Sequence, residues 1–301
     1  MSNAISTHDL SKTFRDTEAV NALSLDVAEG NIHALIGPNG AGKTTTIKLL
    51  MNILRASAGS AEVLGVDSRR LSPREFARIG YVSENQEMPE WMTVEYFLAY
   101  LRPFYPTWDD ALAADLVRQF ELPRDRKLQH LSRGMRMKAS LASSLAYHPE
   151  LVLLDEPFAG LDALVRDEFV KSLLERAEGT TILIASHDLA EIENFASHIS
   201  YIEEGRLRLT EEIGALANRF RQVEITFEAA PPLPAELPEA WMRPESSAAF
   251  LRFIDSRFDA ERTAAEIARL FPDARNVQSH AMTLREIFVA LALAGRQAKA
   301  A

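Results

Sequence analysis

GPNGAGKTTTIKLL, residues 37–50, sets a glycine-rich turn against a lysine, three threonines and an apolar run. The pattern G-x-x-x-x-G-K-[ST] is met by Gly37, Gly42, Lys43 and Thr44. Its physics is phosphate capture by backbone N–H groups in a tight loop that feeds a helix N-terminus. Lys43 supplies a cation for the β- and γ-phosphates, and the Thr44 hydroxyl a ligand for the Mg²⁺ that travels with them. Working outward, Asn31 to Ile36 (NIHALI) reads as a short buried strand entering the loop. Ile47, Leu50, Met51 and Leu54 follow at i, i+3, i+4 and i+7, which predicts a helix over these positions. The glycines run G-x-x-G-x-G and not G-x-G-x-x-G, which argues against a dinucleotide site. Strand, loop and helix in this order predict an α/β core around a nucleoside triphosphate cradle.

Two further apolar runs end in polar chemistry. Leu151 to Leu154 (LVLL) ends in Asp155 and Glu156, the way a buried parallel strand delivers carboxylates to the edge where ligands bind. Asp155 is a candidate metal ligand, and Glu156 a candidate general base for the water that attacks the γ-phosphate. Two acids after a strand are also an ordinary solvated strand end. Thr181 to Ala185 (TILIA) ends in Ser186, His187 and Asp188, so His187 is either a hydrogen-bond partner of the γ-phosphate or a cap of the next helix. In LSRGMRMKASLASSL, 131–145, Ser132 and Gly134 open a helix with Met137, Leu141 and Leu145 on one face. That start is either a second anion-binding N-terminus or a plain Ser-Gly cap. One triphosphate needs one cradle, so a second would serve a nucleotide held by another copy.

The 301 residues, 47% of them hydrophobic, suffice for one large domain and a smaller one. A net charge of -10 argues against nucleic acid as a main partner, because phosphate backbones need a basic footprint. The absence of cysteine excludes disulfides and thiolate metal sites and fits a reducing compartment. No signal-peptide pattern opens the chain, and the longest apolar run, Ile287 to Ala294, falls far short of the roughly 18 residues of a membrane span. The expectation is a chain that does not itself cross a membrane.

GPNGAGKTT, LSRGM, LVLLDEP, AGLD and SHD, in this order and spacing, resemble the ATP-binding subunits of ABC transporters over about residues 4–215. The resemblance implies a P-loop NTPase (ABC ATPase) fold with an inserted helical subdomain, working on ATP with Mg²⁺. By it, Gly37, Asn39, Gly40, Gly42, Lys43, Thr44 and Thr45 belong to the Walker A loop, Asp155 and Glu156 to Walker B, Asp162 to the D-loop and His187 to the switch. Lys43, Glu156 and His187 form the implied catalytic set, and Thr44, Glu84 and Asp155 the implied metal set. Ser132, Gly134 and Asp162 join the nucleotide-binding set, Ser132 and Gly134 from the opposite subunit. Phe14 matches the aromatic that stacks on adenine, although a lone phenylalanine is as often core. Arg133 and Met135 stand where the family's LSGGQ signature has glycine and glutamine. Arg133 either adds a cation near the opposite phosphate or points to solvent. IGYVSE, 79–84, puts Glu84 where the family usually has glutamine as a metal ligand and link to the membrane partner. A carboxylate oxygen ligates Mg²⁺ as an amide oxygen does, but it adds a negative charge.

Between Glu84 and Ser132 the pattern turns helical, with Val94, Phe97, Leu98 and Leu101 on one face and Leu112, Leu116 and Phe120 in the next segment. This predicts a helical subdomain at about 86–148 within an ATPase domain over 1–218. In the family its surface receives a cytoplasmic helix of the transmembrane permease subunit; Met88, Trp91 and Met92 either line that groove or belong to the core. Residues 229–239 (AAPPLPAELPE) make a proline-rich break in a second unit, 219–301. Strands at Val223–Phe227, Phe250–Ile254 and Asn276–Ala281, a helix at Ala260–Leu270 and a last helix from Thr283 predict a small C-terminal accessory α+β domain. Leu284, Ile287 and Phe288 on the last helix pack either on their own sheet or on a second subunit. The segment SHAMTLREIFVALA resembles the tail of ATP-binding subunits from bacterial two-component drug and polysaccharide exporters. The resemblance implies an ATPase peripheral to the cytoplasmic face of the cell membrane, acting as a homodimer or a heterodimer on a separate permease. A soluble ABC-type ATPase in regulation, translation or DNA work is the alternative; it would bring a long coiled coil or two tandem cassettes, and the sequence has neither.

Overall fold

The computed structural model of the chain describes residues 2–175, 179–228, 234, 236–247 and 249–300. Much of the proline-rich stretch 229–239 lies outside the described residues. The chain divides into two compact units, Met1–Thr210 and Glu211–Ala301.

The first unit opens with β1 (Asn3–Phe14), β2 (Thr17–Leu23), β3 (Asp26–Ala28) and β4 (Ile32–Ile36), followed by the glycine-rich loop and α1 (Lys43–Leu50). Next come β5 (Ala58–Val63), β6 (Val66–Asp67), the one-turn α2 (Pro73–Phe76) and β7 (Ile79–Ser83). Helices α3 (Val94–Leu101), α4 (Asp110–Gln119) and α5 (Arg133–Leu145) precede β8 (Leu151–Asp155). Then α6 (Ala163–Leu174), β9 (Thr181–Ser186), β10 (His198–Glu203) and β11 (Arg206–Glu212) follow. Six strands form one sheet in the order β11-β10-β4-β9-β8-β7, parallel from β10 to β7. In this register Ile36 lies opposite Ser186, Asp155 opposite Ala185 and Ser83 opposite Asp155. The C-terminal ends of four strands therefore come level at one edge, the edge at which open parallel sheets bind ligands.

Every residue of β8 and β9 is buried because both faces of the sheet are covered, which is why LVLL and TILIA read as unbroken apolar runs. Leu151 and Leu153 pack with Leu35, Ile47 and Leu50 and with Ile5, Val20 and Val63 of the N-terminal strands. Val152 and Leu154 face the other way, into Val94, Phe97, Leu116, Leu141 and Phe169 of the helices. The N-terminal strands form an antiparallel sheet, β2-β1-β5-β6 with β3 also on β1, that the sequence reading did not anticipate. Register shifts between Leu10 and Lys12 and between His8 and Ser11 break the period-2 pattern along β1.

Helix α1 is shorter than the spacing of Ile47, Leu50, Met51 and Leu54 suggests. It ends at Leu50 because Asn52 turns left-handed (φ 54°). The Asn52 N–H then bonds to the Leu49 carbonyl and the Ile53 N–H to the Lys48 carbonyl, the two bonds of a Schellman cap. Met51 and Leu54 still pack against the core, from beyond the helix.

The second unit contains α7 (Ile213–Arg219), β12 (Arg221–Thr226), β13 (Trp241–Ser246), β14 (Phe250–Asp255), α8 (Ala260–Leu270), β15 (Asn276–Ala281) and α9 (Leu284–Ala300). Its sheet is antiparallel in the order β13-β14-β12-β15. Val223, Ile225, Leu251, Phe253, Ile267 and Phe271 form the core, with Trp241 stacked on Phe253 at 3.9 Å. Strand β13 is a further addition to the sequence reading. Pro244, a left-handed Arg243 and a register shift between Met242 and Glu245 spoil its alternation, and all three are tolerated because β13 is an edge strand. Leu284, Ile287 and Phe288 are buried within this chain, so that face of α9 packs without a second subunit.

Candidate functional site

The loop after β4 and the tips of β7, β8 and β9 enclose a cavity of about 280 Å³. Asn39, Gly40, Gly42, Lys43, Thr44 and Thr45 line it from the loop, and Glu84, Glu156 and His187 from the strand tips. Gly42 caps α1 with φ 106°, and a Cβ there would fall 2.3 Å from the Ala19 carbonyl oxygen. Only glycine fits there.

Lys43 is buried, and a buried ammonium needs partners. Its Nζ donates to the Gly37 carbonyl at 2.7 Å and the Pro38 carbonyl at 3.2 Å, and lies 3.2 Å from Glu156 Oε1. His187 Nδ1 donates to the other Glu156 oxygen, Oε2, at 2.7 Å. Glu156 reaches both partners because it turns left-handed (φ 52°) directly after β8, its N–H held by the Ala185 carbonyl at 2.9 Å. A non-glycine residue in that conformation stores about 1–3 kcal/mol, a cost met at functional turns.

Thr44 Oγ1 donates to Asp155 Oδ1 at 2.8 Å, and Ser83 Oγ lies 3.4 Å from Oδ2. Burial pushes the Asp155 carboxyl up from its ordinary value; the Thr44 hydrogen bond opposes this, and the neighbouring Glu156 charge adds to it. The sequence reading passed over Ser83, whose only signal is its place as the last residue of β7. Among the described residues no group of three or more His, Cys, Asp or Glu side chains forms a metal cluster. Thr44 and Asp155 supply hard oxygen donors, the set that suits Mg²⁺ when phosphates and water complete its shell.

The remaining candidates lie elsewhere. Ser132 caps α5 by accepting from the Met135 N–H at 3.2 Å, and Asp162 caps α6 by accepting from the Val165 N–H at 2.9 Å. A Cβ on Gly134 would come 3.2 Å from Val165, so the two helix starts adjoin. None of the three lines the cavity. Phe14 is 42% exposed with Lys12 Nζ 4.9 Å from its ring centroid, and it too lies outside the lining. Glu84 lines the cavity, but its carboxylate is ion-paired with Arg133, which therefore neither points freely to solvent nor stands unpartnered. Met88, Trp91 and Met92 separate: Met88 lines a groove of about 420 Å³ with Tyr81, Gln86, Phe97 and Tyr147, Met92 is core, and Trp91 is 62% exposed beside Tyr96.

The family described as ABC transporter matches residues 20–159. Daunorubicin/doxorubicin resistance ATP-binding protein DrrA of Streptomyces peucetius is 33% identical over 305 residues, covering 96% of this chain and 92% of that protein. Nod factor export ATP-binding protein I of Burkholderia orbicola (strain AU 1054) is 37% identical over 208 residues, 66% of this chain and 67% of that one. Among solved structures, an ATP binding subunit of an ABC transporter aligns with a TM-score of 0.66 at 26% identity, covering 71% of this chain and 92% of the other.

Proposed function

The chain belongs to the ATP-binding subunits of ABC transporters, and from that premise we propose that two copies hold two Mg·ATP between them and drive a separate export permease. What supports the pairing is the division of the site residues. Loop residues 39–45, Glu84, Glu156 and His187 share one cavity, with Gly37 outside its lining, and Ser132 and Asp162 cap α5 and α6 away from it. A helix start with unspent N–H groups suits a phosphate, and a two-fold axis would bring it to the partner's.

In this reading the loop N–H groups bind the phosphates, and Lys43 is the cation they draw. Its departure leaves Glu156 Oε1 open to accept a proton from the attacking water as general base. His187, donating to Oε2, keeps that carboxylate aimed. Mg²⁺ supplies charge neutralisation on the transferring phosphoryl group, with Thr44, Asp155 and Glu84 as its protein donors. Phe14 stacks on the adenine.

Residues 1–218 carry the ATPase, the helical insertion at 86–148 carries the permease-binding groove beside Met88, and 219–301 is an accessory domain. Export is favoured by the names of the relatives, one a drug-resistance and one a Nod factor export ATP-binding protein, and by the tail segment. A membrane permease as partner puts the chain at the cytoplasmic face of the membrane, and the net charge of -10 speaks against nucleic acid. The test is affinity purification of the Glu156→Gln chain from mildly solubilised native membranes with Mg·ATP. A multispanning protein should copurify; recovery of soluble proteins or ribosomes alone would move the chain to the non-transport ABC ATPases.

A further inference from the structure

Three loops of the first unit meet at one guanidinium. Arg133, the first residue of α5, is ion-paired with Glu84, which follows β7 directly. The same guanidinium covers Gly160, where a Cβ would come 2.5 Å from Nη1 and 3.0 Å from Cζ. Glu84 also borders two cavities: the phosphate cavity with Lys43 and Glu156, and a second of about 200 Å³ with Arg133, Arg136 and Ser140. The ion pair thus stands between the chain's own phosphate cavity and the helix start that carries Ser132.

Charge decides what such a pair does. Glu84 and Glu156 are the two carboxylates lining the cavity, and Glu156 is compensated by Lys43 and His187. Without Arg133, Glu84 would stand as an uncompensated negative charge at the edge of the cavity, open to a cation. A divalent cation arriving with the nucleotide competes with Arg133 for the same carboxylate. Once displaced, Arg133 lies beside Ser132 and Gly134 at the positive end of α5, where guanidinium and helix dipole favour an anion together.

We propose that Arg133 is a positioning residue that holds Glu84 until Mg·nucleotide takes that carboxylate, and that it then turns to the partner copy's triphosphate, so that loading one pocket prepares the other. The inference rests on the two-copy reading above and adds a coupling between the two sites, which must be reciprocal.

A double-mutant cycle on the full chain tests it, in a Glu156→Gln background that suppresses turnover. The four proteins carry no further change, Arg133→Gly, Glu84→Gln, or both. Mg·ATP affinity is read by titration calorimetry, and the ATP concentration that half-dimerises the chain by sedimentation. With its competitor for Glu84 gone, Arg133→Gly should tighten Mg·ATP binding about three- to fivefold, the scale of one partly exposed ion pair. Glu84→Gln should cancel that gain in the double variant. Dimerisation should still need several-fold more ATP in both proteins that lack Arg133. Arg133→Lys, which keeps the charge and loses the fork, should fall between the two extremes and serves if the glycine variant does not fold. Strictly additive effects on ATP affinity, with normal ATP-driven dimers, would overturn the coupling and leave the two-copy reading intact. ATP binding with no dimer in any of the proteins would overturn both.

Discussion

Glu156 spends both carboxylate oxygens on cations or donors, Lys43 at 3.2 Å and His187 at 2.7 Å, and so it is held in place before it has a water to activate. Glu156→Gln is expected to keep ATP binding and to lose about 10²–10⁴-fold in hydrolysis, the usual worth of a positioned general base. Phosphate release measured beside a binding titration checks this, and unchanged turnover would take the role away from Glu156. Gly42→Ala puts a methyl group 2.3 Å from the Ala19 carbonyl at φ 106°. It should cost about 1–3 kcal/mol of loop strain and abolish ATP binding at concentrations that saturate the unchanged protein, read in the same titration. Gly42, Lys43 and Thr44 could be read from the sequence because phosphate chemistry fixes their spacing. The Arg133–Glu84 pair could not, since its members are 49 positions apart and each looks, alone, like an isolated exchange.

Strand β4 carries a polar residue inside the central sheet. His33 is buried, its Nε2 2.7 Å from Ser200 Oγ on β10 and its ring stacked 6.0 Å from His198. Burial, with the nearby His198, lowers its pKa from 6.5 to about 4. Below pH 6.5 the unfolded chain takes up a proton that the folded chain refuses, so stability that is complete above 6.5 drains as pH falls toward 4. The loss reaches up to about 3 kcal/mol. Urea midpoints should drop across that window in the unchanged protein and much less in His33→Gln; equal drops would assign the acid sensitivity to other groups. On the loop before α3, Met92→Ala should cost about 2–5 kcal/mol as a core truncation, whereas Trp91→Ala should stay within about 0.5 kcal/mol, both by urea denaturation. A large loss at Trp91 would contradict its exposure. Of the parallel strands, β4, β8 and β9 were legible as largely apolar runs buried on two faces, whereas polar residues interrupt β7 (IGYVS) and β10 (HISYIE) and no such run marked them. The antiparallel sheet and β13 were not, because bulges and a proline erase the alternation that identifies a one-sided strand.

At the scale of the whole chain, the α/β ATPase core follows from one loop and the strand tips beside it, and the small α+β unit from patterns that survive around its proline-rich break. The division of residues between a cavity and two outlying helix starts was legible only as a question: LSRGM could be a cap or an anion site, and both descriptions fit Ser132 as it stands. What decides between them is whether a second copy supplies the phosphate. The direct measurement is sedimentation velocity of the Glu156→Gln chain with and without Mg·ATP, with bound nucleotide read from absorbance in the same run. The expected result is a shift from the 33.6 kDa of one chain to about twice that mass when ATP is bound. A chain that binds ATP stoichiometrically and still sediments at the mass of one copy would contradict the two-copy ATPase.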